Sequence, residues 1–442
     1  MSIRLLFILA LSLWAAAVQA TPSLDLWQAW QLALQRDPIY AAQRANTQAN
    51  QEQITQARAK LLPSIEAVAS AQHNDSRRAS RLNQGRNSNL TQWQLRLSQP
   101  LLDLNAIAQF ERSRYLAGMA VLDLENAKHE LALRVTQAYF DVLSAQDTLL
   151  SLQAQYNAIE QQLLAAQLAF ELGGATITDT YEAQSRLDLL KAQQITAQSF
   201  LQNKQNALSR MIGEPVHTLA PLNPNAILPA PEPAQLDAWT TQASLSNLFV
   251  AKANLAVQAQ RYQLQASQRE HTPTVSLEAR SGSQSNQGIY GPNSSPRALD
   301  SSIAIELSIP LYQGGAISSR IRENASVLQQ RHLEQENARR QAIESTQNHF
   351  SNVTAGLLQI QALEAAAQSS SASVQANQTA YEVGVRINID VLNAQQQHYE
   401  TQRALAQARY QALIQGLALK KAAGQLQDSD LDQLNQLLLS TP

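Results

Sequence analysis

The stretch "YEVGVRINIDVLNAQ" occupies residues 381–395, and "FELGGATITDTYEAQ" occupies residues 170–184. An aromatic residue, Glu, Gly, Asp, Ala and Gln keep one order in both. The pairs are Phe170 and Tyr381, Glu171 and Glu382, Gly173 and Gly384, Asp179 and Asp390, Ala183 and Ala394, Gln184 and Gln395, each 211 positions apart. Gly supplies a positive φ cheaply where a helix must turn. A carboxylate at the start of the next helix meets the positive end of its dipole, and simple capping is the plainest use of either Asp. One chain thus encodes the same helix–turn–helix twice.

Moving outward, the duplication extends over most of the chain. "LLPSIEA" (61–67) recurs loosely as "HTPTVSLEA" (271–279), and "LSQPL" (97–101) recurs as "LSIPL" (307–311). "ENA" recurs at 125–127 and 336–338, and Gly213 of "MIGEP" matches Gly424. Landmarks in one register mark an internal repeat. The organisation expected is a signal peptide (1–20), a first repeat (21–213), a connector (214–239), a second repeat (240–424) and a C-terminal tail (425–442). The connector holds Pro215, Pro221, Pro224, Pro229, Pro231 and Pro233, which block helix and favour an extended chain.

Proline is absent from Leu101 to Glu214 and from Leu311 to Thr441, so those intervals read as helix. Apolar residues at Leu131, Val135, Ala138, Val142, Ala145, Leu149, Leu152, Tyr156, Ile159, Leu163, Ala166 and Phe170 alternate steps of four and three, a coiled-coil seam. A partial second stripe runs Phe140, Leu143, Leu150, Ala154, Leu164, Leu168. One seam suits an antiparallel hairpin, and two suit a helix in a wall with neighbours on both sides. Residues 104–171 predict a single helix of about 100 Å. Residues 38–61 and 179–212 predict two shorter helices that could stack along it, and 315–383, 240–271 and 390–423 repeat the scheme.

Between the helices lie four runs with strand-like alternation, about 64–71, 92–101, 274–281 and 302–311. Trp93, Leu95 and Leu97 alternate with Gln94, Arg96 and Ser98, and Ile303, Ile305, Leu307 and Ile309 alternate with Ala304, Glu306 and Ser308. Their length suits tilted membrane strands, and a small soluble sheet with one wet face would give the same pattern. Four strands cannot close a barrel, and an open edge cannot sit in lipid, so three copies supplying twelve strands would be required.

Composition narrows the function classes. The chain has 442 residues, a net charge of −2 and 15% charged residues, with no basic face for nucleic acid. "LLFILALSLWAAA" (5–17) after Arg4, with "VQA" (18–20) before Thr21, predicts a cleaved secretory signal; an uncleaved anchor is the alternative. No other segment approaches the continuous apolar length of a membrane-spanning helix. There is no Cys, which excludes disulfides, thiol catalysis and lipid attachment at an N-terminal Cys. The seven His residues, at 73, 129, 217, 271, 332, 349 and 398, show no metal-ligand spacing, and nucleophile elbows and phosphate loops are lacking, so no enzyme and no cofactor is expected.

With the duplication, the strand ends "LSQPL" and "LSIPLYQGG" (307–315), and the segment "YEVGVRINIDVLNAQQQHYETQRALAQARYQALIQGLALKKAAG" (381–424), the chain resembles the TolC-type outer-membrane efflux channels. The resemblance implies a mainly α protein with membrane β: a homotrimer whose twelve-stranded β-barrel, four strands from each chain, is continued by a long periplasmic α-helical barrel. It implies an exit duct in the outer membrane of a Gram-negative bacterium, serving a tripartite efflux pump or a type I secretion system. The partners implied are a periplasmic adaptor, an inner-membrane ABC or proton-driven transporter, and outer-membrane lipid. The tail would wrap the tube as a short amphipathic piece.

By the same resemblance the two Gly-to-Asp turns are hairpin ends at a closed tip. Gly173, Gly174, Gly384 and Val385 would dock the adaptor. Thr178 and Asp179 would be tied to Arg386 and Tyr381, and Gln162 and Gln378 would form an amide pair. Asp390 would line the narrowest ring, with Asn393 standing where the family's type member has a second acid, giving one acidic ring and weaker block by multivalent cations. Arg77, Arg78, Arg81 and Arg86 fall in the first strand–strand loop, either as a solvated loop or as a contact for anionic lipopolysaccharide. An exported, non-conducting coiled-coil protein or adhesin is the alternative; it accounts for the heptads and the signal but not for paired strands in matched register. A membrane-fusion adaptor would need a Gly-rich β-domain beside its hairpin.

Overall fold

The computed structural model describes residues 23–76, 86–288 and 298–439. The elements in chain order are α1 (Leu26–Arg36), α2 (Pro38–Ala59), β1 (Ser64–Ser76), β2 (Arg86–Leu102), α3 (Leu104–Glu171), α4 (Ile177–Ile212), α5 (Leu236–Ser246), α6 (Leu248–Arg269), β3 (Thr274–Gly288), β4 (Ala298–Ser308), α7 (Ala316–Glu382), α8 (Asn388–Ala422) and α9 (Asp428–Asn435). The signal segment lies outside the described residues, as do Arg77, Arg78 and Arg81; Arg86 opens β2. No helix among the described residues is long and apolar enough to cross a membrane.

The expected long helix is α3, 68 residues free of proline, and its counterpart α7 has 67. The helix expected over 240–271 is two helices. It breaks at Asn247, whose backbone is extended (φ −61°, ψ 132°) and whose buried amide donates to the Ala422 carbonyl at 2.8 Å. Asp37, the residue 210 positions earlier, makes the same break between α1 and α2, where Pro38 disfavours helical backbone in the residue before it. Its carboxylate accepts from the Tyr40 backbone N–H at 2.7 Å and from Arg134 at 3.1 Å. Helix α5 starts at Leu236, inside the range expected for the connector, because the last proline is Pro233 and the chain is free to coil after it.

Two compact units emerge, and they do not follow the two repeats. Each repeat carries its strands in the middle of its sequence, so like elements of the two repeats pack together. One unit comprises Ala42–Asn126 and Leu248–Gln341. Its sheet is antiparallel in the order β1-β2-β3-β4. The strands run further than the alternation alone suggests, except that β4 stops at Ser308, before Pro310, which has no N–H to donate. Register aligns Ile65 with Leu97, Leu97 with Ala279 and Ala279 with Ile303, so odd-numbered residues share one face across all four strands. That face carries Ile65, Trp93, Leu95, Ile303, Ile305 and Leu307, all exposed. The even face carries Glu66, Arg96, Glu278, Arg280 and Glu306; Glu278 accepts from Arg96 at 3.1 Å and from the Ser98 hydroxyl at 2.6 Å. Strands β1 and β4 are the edges. Helical segments in this unit are joined by Lys252 with Asp123 (2.6 Å), Arg320 with Glu270 (2.5 Å) and stacked Tyr115 and Tyr262.

The other unit comprises residues up to Ala41, Ala127–Asn247 and Ala342 onward. Its core packs Leu26 and Trp30 of α1 against Leu131, Val135, Tyr139 and Phe140 of α3, Leu208 and Ile212 of α4, Leu413 and Leu417 of α8, and Leu431 and Leu434 of α9. Each such apolar side chain contributes about 1.5–3 kcal/mol on burial. The connector is pinned to this core: Leu219 bridges Leu24, and the buried Tyr139 hydroxyl donates to the Ala220 carbonyl at 2.8 Å. The tail is α9, held by Lys420 with Asp430 (2.6 Å) and Lys128 with Asp428 (2.9 Å), and beyond it Leu438 pairs with Leu222. The first seam is buried at Leu131, Val135, Ala138, Val142, Ala145, Leu152, Ile159, Leu163 and Ala166. The second stripe is buried only at Phe140 and Leu143; Leu150, Leu164 and Leu168 are exposed on the single chain.

Candidate functional site

The two hairpin ends lie in this helical unit. Helix α3 stops at Glu171 because the next residues reverse the chain through Gly173, at φ +76°; α7 stops at Glu382 before Gly384, at φ +75°. The two closing hydrogen bonds of each turn match, and in the second Arg386 N–H also donates to the Ala380 carbonyl at 3.1 Å. Gly173 N–H donates to the Phe170 carbonyl at 2.9 Å and Gly174 N–H to Ala169 at 2.8 Å; Gly384 N–H donates to Tyr381 at 3.0 Å and Val385 N–H to Ala380 at 2.9 Å. Both turns close the last carbonyls of a helix through a left-handed residue, as the Gly spacing predicts. Leu172, Val383, Val385 and Ile387 leave these ends exposed and apolar.

The returning helices start differently. Thr176 caps α4: its backbone N–H donates to the Asp179 carboxylate at 3.0 Å and its hydroxyl donates to the same carboxylate at 2.7 Å. The Thr178 hydroxyl lies 2.5 Å from that of Thr176. Asp179 therefore acts as a helix cap, the plainest of the roles open to it. Helix α8 begins after Ile387, which has no side-chain cap, and Asp390 instead accepts from Arg386 at 3.4 Å. Within one chain Arg386 thus pairs with Asp390 and not with Thr178. Tyr381 is brought into the field of Asp179: burial, and then that negative charge, hold its phenol above the ordinary range. Gln162 is buried, but its partner is not Gln378, which is exposed; its amide donates to the Asn388 side-chain oxygen at 2.5 Å.

Asn388 and Arg186 are residues that reading the sequence missed. Asn388 is buried at the start of α8, accepts from Gln162 and donates to the Asp179 backbone carbonyl at 3.3 Å. It joins α3, the start of α4 and α8 in one contact. Arg186 of α4 reaches α8, donating to Asn393 at 2.8 Å and to Gln396 at 3.0 Å. Further along, Arg403 donates to Ser151 and Gln155, and the Tyr410 hydroxyl donates to Asp147 at 2.6 Å. The signal available was broken symmetry between repeats. At the 211-residue spacing Asn388 falls opposite Ile177, and Arg186 opposite Gln397. A side chain whose polarity or charge its repeat mate lacks, as Asn388 against Ile177 and Arg186 against neutral Gln397, marks a contact that one repeat makes and the other receives.

Chemically the arrangement holds helix ends together with neutral amides and few charges. Among the described residues, no group of three or more His, Asp or Glu could hold a metal ion.

The family model described as "Outer membrane efflux protein" matches residues 29–214 and 239–425. The chain is similar to outer membrane protein TolC of Escherichia coli (strain K12), at 30% identity over 94% of this chain and 85% of that one. It is similar to the proteases secretion protein PrtF of Dickeya chrysanthemi, at 29% identity over 99% of this chain and 95% of that one. Among solved structures it matches the outer membrane protein VceC of Vibrio cholerae with a TM-score of 0.75, at 18% identity, covering 90% of this chain and 96% of that one.

Proposed function

We infer the function from one premise: this chain belongs to the outer membrane efflux protein family. It is an outer-membrane exit channel for efflux pumps and secretion systems of a Gram-negative bacterium. The observation that carries the reading is the sheet, with one continuous apolar exposed face and strands β1 and β4 as edges.

An unpaired strand edge cannot sit in hydrocarbon, where each unsatisfied backbone group costs several kcal/mol. Closure through copies of the same chain removes both edges, β1 of one chain pairing with β4 of the next. Two copies give about eight strands, whose interior side chains fill, so a passage needs three copies and twelve strands. The odd face then meets lipid, and the even face, with Glu66, Arg96, Glu278, Arg280 and Glu306, lines a wet lumen. Exposed Leu150, Leu164 and Leu168 meet the next copy's helices.

At the hairpin ends, the apolar turns around Gly173, Gly174, Gly384 and Val385 dock a periplasmic adaptor, which links the duct to an ABC or proton-driven transporter. Asp390 and Asn393 line the constriction. Thr178, Asp179, Tyr381 and Arg386, together with Gln162 and Gln378, face neighbouring coils and hold the ends shut. Cargo passes without chemistry on this chain.

The test is purification from outer membranes in detergent, followed by cross-linking and planar-bilayer recording. A trimer that conducts ions is expected. A monomer that stays soluble without detergent and does not conduct overturns the reading.

A further inference from the structure

Arg186 sits on α4, seven residues past Asp179, and its guanidinium spans three partners. Nε donates to Glu182 Oε1 at 3.0 Å, one terminal nitrogen to Gln396 Oε1 at 3.0 Å and the other to Asn393 Oδ1 at 2.8 Å. Its side chain is only 20% exposed. The planar fork fixes these directions, which the point charge of a Lys does not. Two of the partners are on α8, so the returning helix of one hairpin is clasped to that of the other.

The electrostatic setting is specific. Asn393 is one turn on from Asp390, about 4.5 Å along the helix. Asp390 already faces Arg386 at 3.4 Å. The Gln396 amide donates to Glu400 at 2.9 Å. On α8 the Arg186 cation meets amide oxygens instead of carboxylates, and its direct counter-charge, Glu182, lies on its own helix.

We propose that Arg186 sets the charge selectivity of the duct: it brings a fixed positive charge to Asn393, one turn from Asp390, and to Gln396 beyond it, and makes the constriction a ring of mixed charge. This rests on the reading that Asp390 and Asn393 line the constriction. A fixed charge about 10 Å from an ion in water changes its energy by about 0.4 kcal/mol, roughly a factor of two in local ion concentration. Three copies act on the same ion. Arg386 and Arg186 thus both oppose the acidic ring expected from Asp390 alone, and Glu182 tempers the second.

Reversal potentials of purified channels in a KCl gradient test this. Arg186→Gln is expected to raise the potassium-to-chloride permeability ratio about two- to tenfold. Glu182→Gln is expected to lower the ratio, and Arg186→Lys, which keeps the charge and loses the fork, to leave it near wild type. An unchanged ratio in Arg186→Gln overturns the proposal; if that variant does not assemble, an unchanged ratio in Glu182→Gln does so. Asp390→Asn separates the two levels. A ratio that moves with Asp390 and not with Arg186 sinks the role of Arg186 alone, whereas a ratio indifferent to Asp390 removes the constriction reading beneath it.

Discussion

Asn388 shows how much one side chain can organise. Its oxygen takes the Gln162 amide and its nitrogen meets the Asp179 carbonyl, in a site where water is excluded. A buried polar group left without its partner costs about 1–3 kcal/mol, more than the bond itself contributes net. Asn388→Ala strands the buried Gln162 amide. It is therefore expected to lower stability by about 1–3 kcal/mol, and Gln162→Leu added to it should recover part of the loss. Thermal or denaturant unfolding of the purified protein measures both; a single variant as stable as wild type would show that the contact carries no weight. Gly424 makes the complementary point about backbone. It ends α8 at φ +70°, and a Cβ there would run into the Ser246 carbonyl. Its repeat mate Gly213 has the same left-handed φ, so this match reflects backbone geometry.

At the scale of elements, β-strands and helices here are told apart by period, and each period has one physical consequence. Period two in β1 to β4 puts Ile65, Trp93, Leu95, Ile303, Ile305 and Leu307 on one face and leaves them exposed on the single chain. Ile305 lies on that face between Ile303 and Leu307, on the edge strand β4 and opposite Leu277. Ile305→Lys is expected to cost about 2–4 kcal/mol if the face meets the hydrocarbon midplane and to reduce recovery of the protein from outer membranes. Ser302→Lys, on the opposite face, serves as the control and should be recovered normally. Equal recovery of the two variants would mean the apolar face meets something other than lipid. Period three-and-a-half in α3 buries one seam in the chain and leaves Leu150, Leu164 and Leu168 outside it. A helix with one face satisfied and one not needs a second neighbour, which another copy supplies.

Stability against pH belongs to the whole molecule, because it sums over every group whose proton affinity changes on folding. One such group is the partly buried Asp147, which meets Tyr410 of the helical unit's core. Burial pushes the Asp147 carboxyl above its ordinary 3.8, and the hydrogen bond from the Tyr410 hydroxyl only partly offsets that. Burial and the negative charge of Asp147 push the Tyr410 phenol up in turn. The folded protein therefore binds a proton at Asp147 more readily than the unfolded chain does. The stability from this group is full below the unfolded value and is lost as pH rises through the raised one. Wild type is expected to gain on Asp147→Asn as pH falls towards 3.8. Unfolding free energies of the two at several pH values check this; parallel profiles would remove Asp147 from the account.

The sequence alone determined the duplication, the length of α3, the alternation of the four strands, the two Gly-turns and the family. These depend on local rules: where proline is absent, where apolar residues recur and where a turn demands positive φ. What only the tertiary structure decided is which polar side chains meet. Arg386 turned to Asp390, Gln162 to Asn388, and Arg186 to Asn393 and Gln396. The break at Asn247, unlike the one that Pro38 marks at Asp37, was likewise hidden, because it is completed by a group far along the chain, the Ala422 carbonyl. Periodicity states which face of a helix is buried. It does not state which residue of another helix faces it, because that depends on the axial offset of two packed helices, and one turn of sliding exchanges every partner.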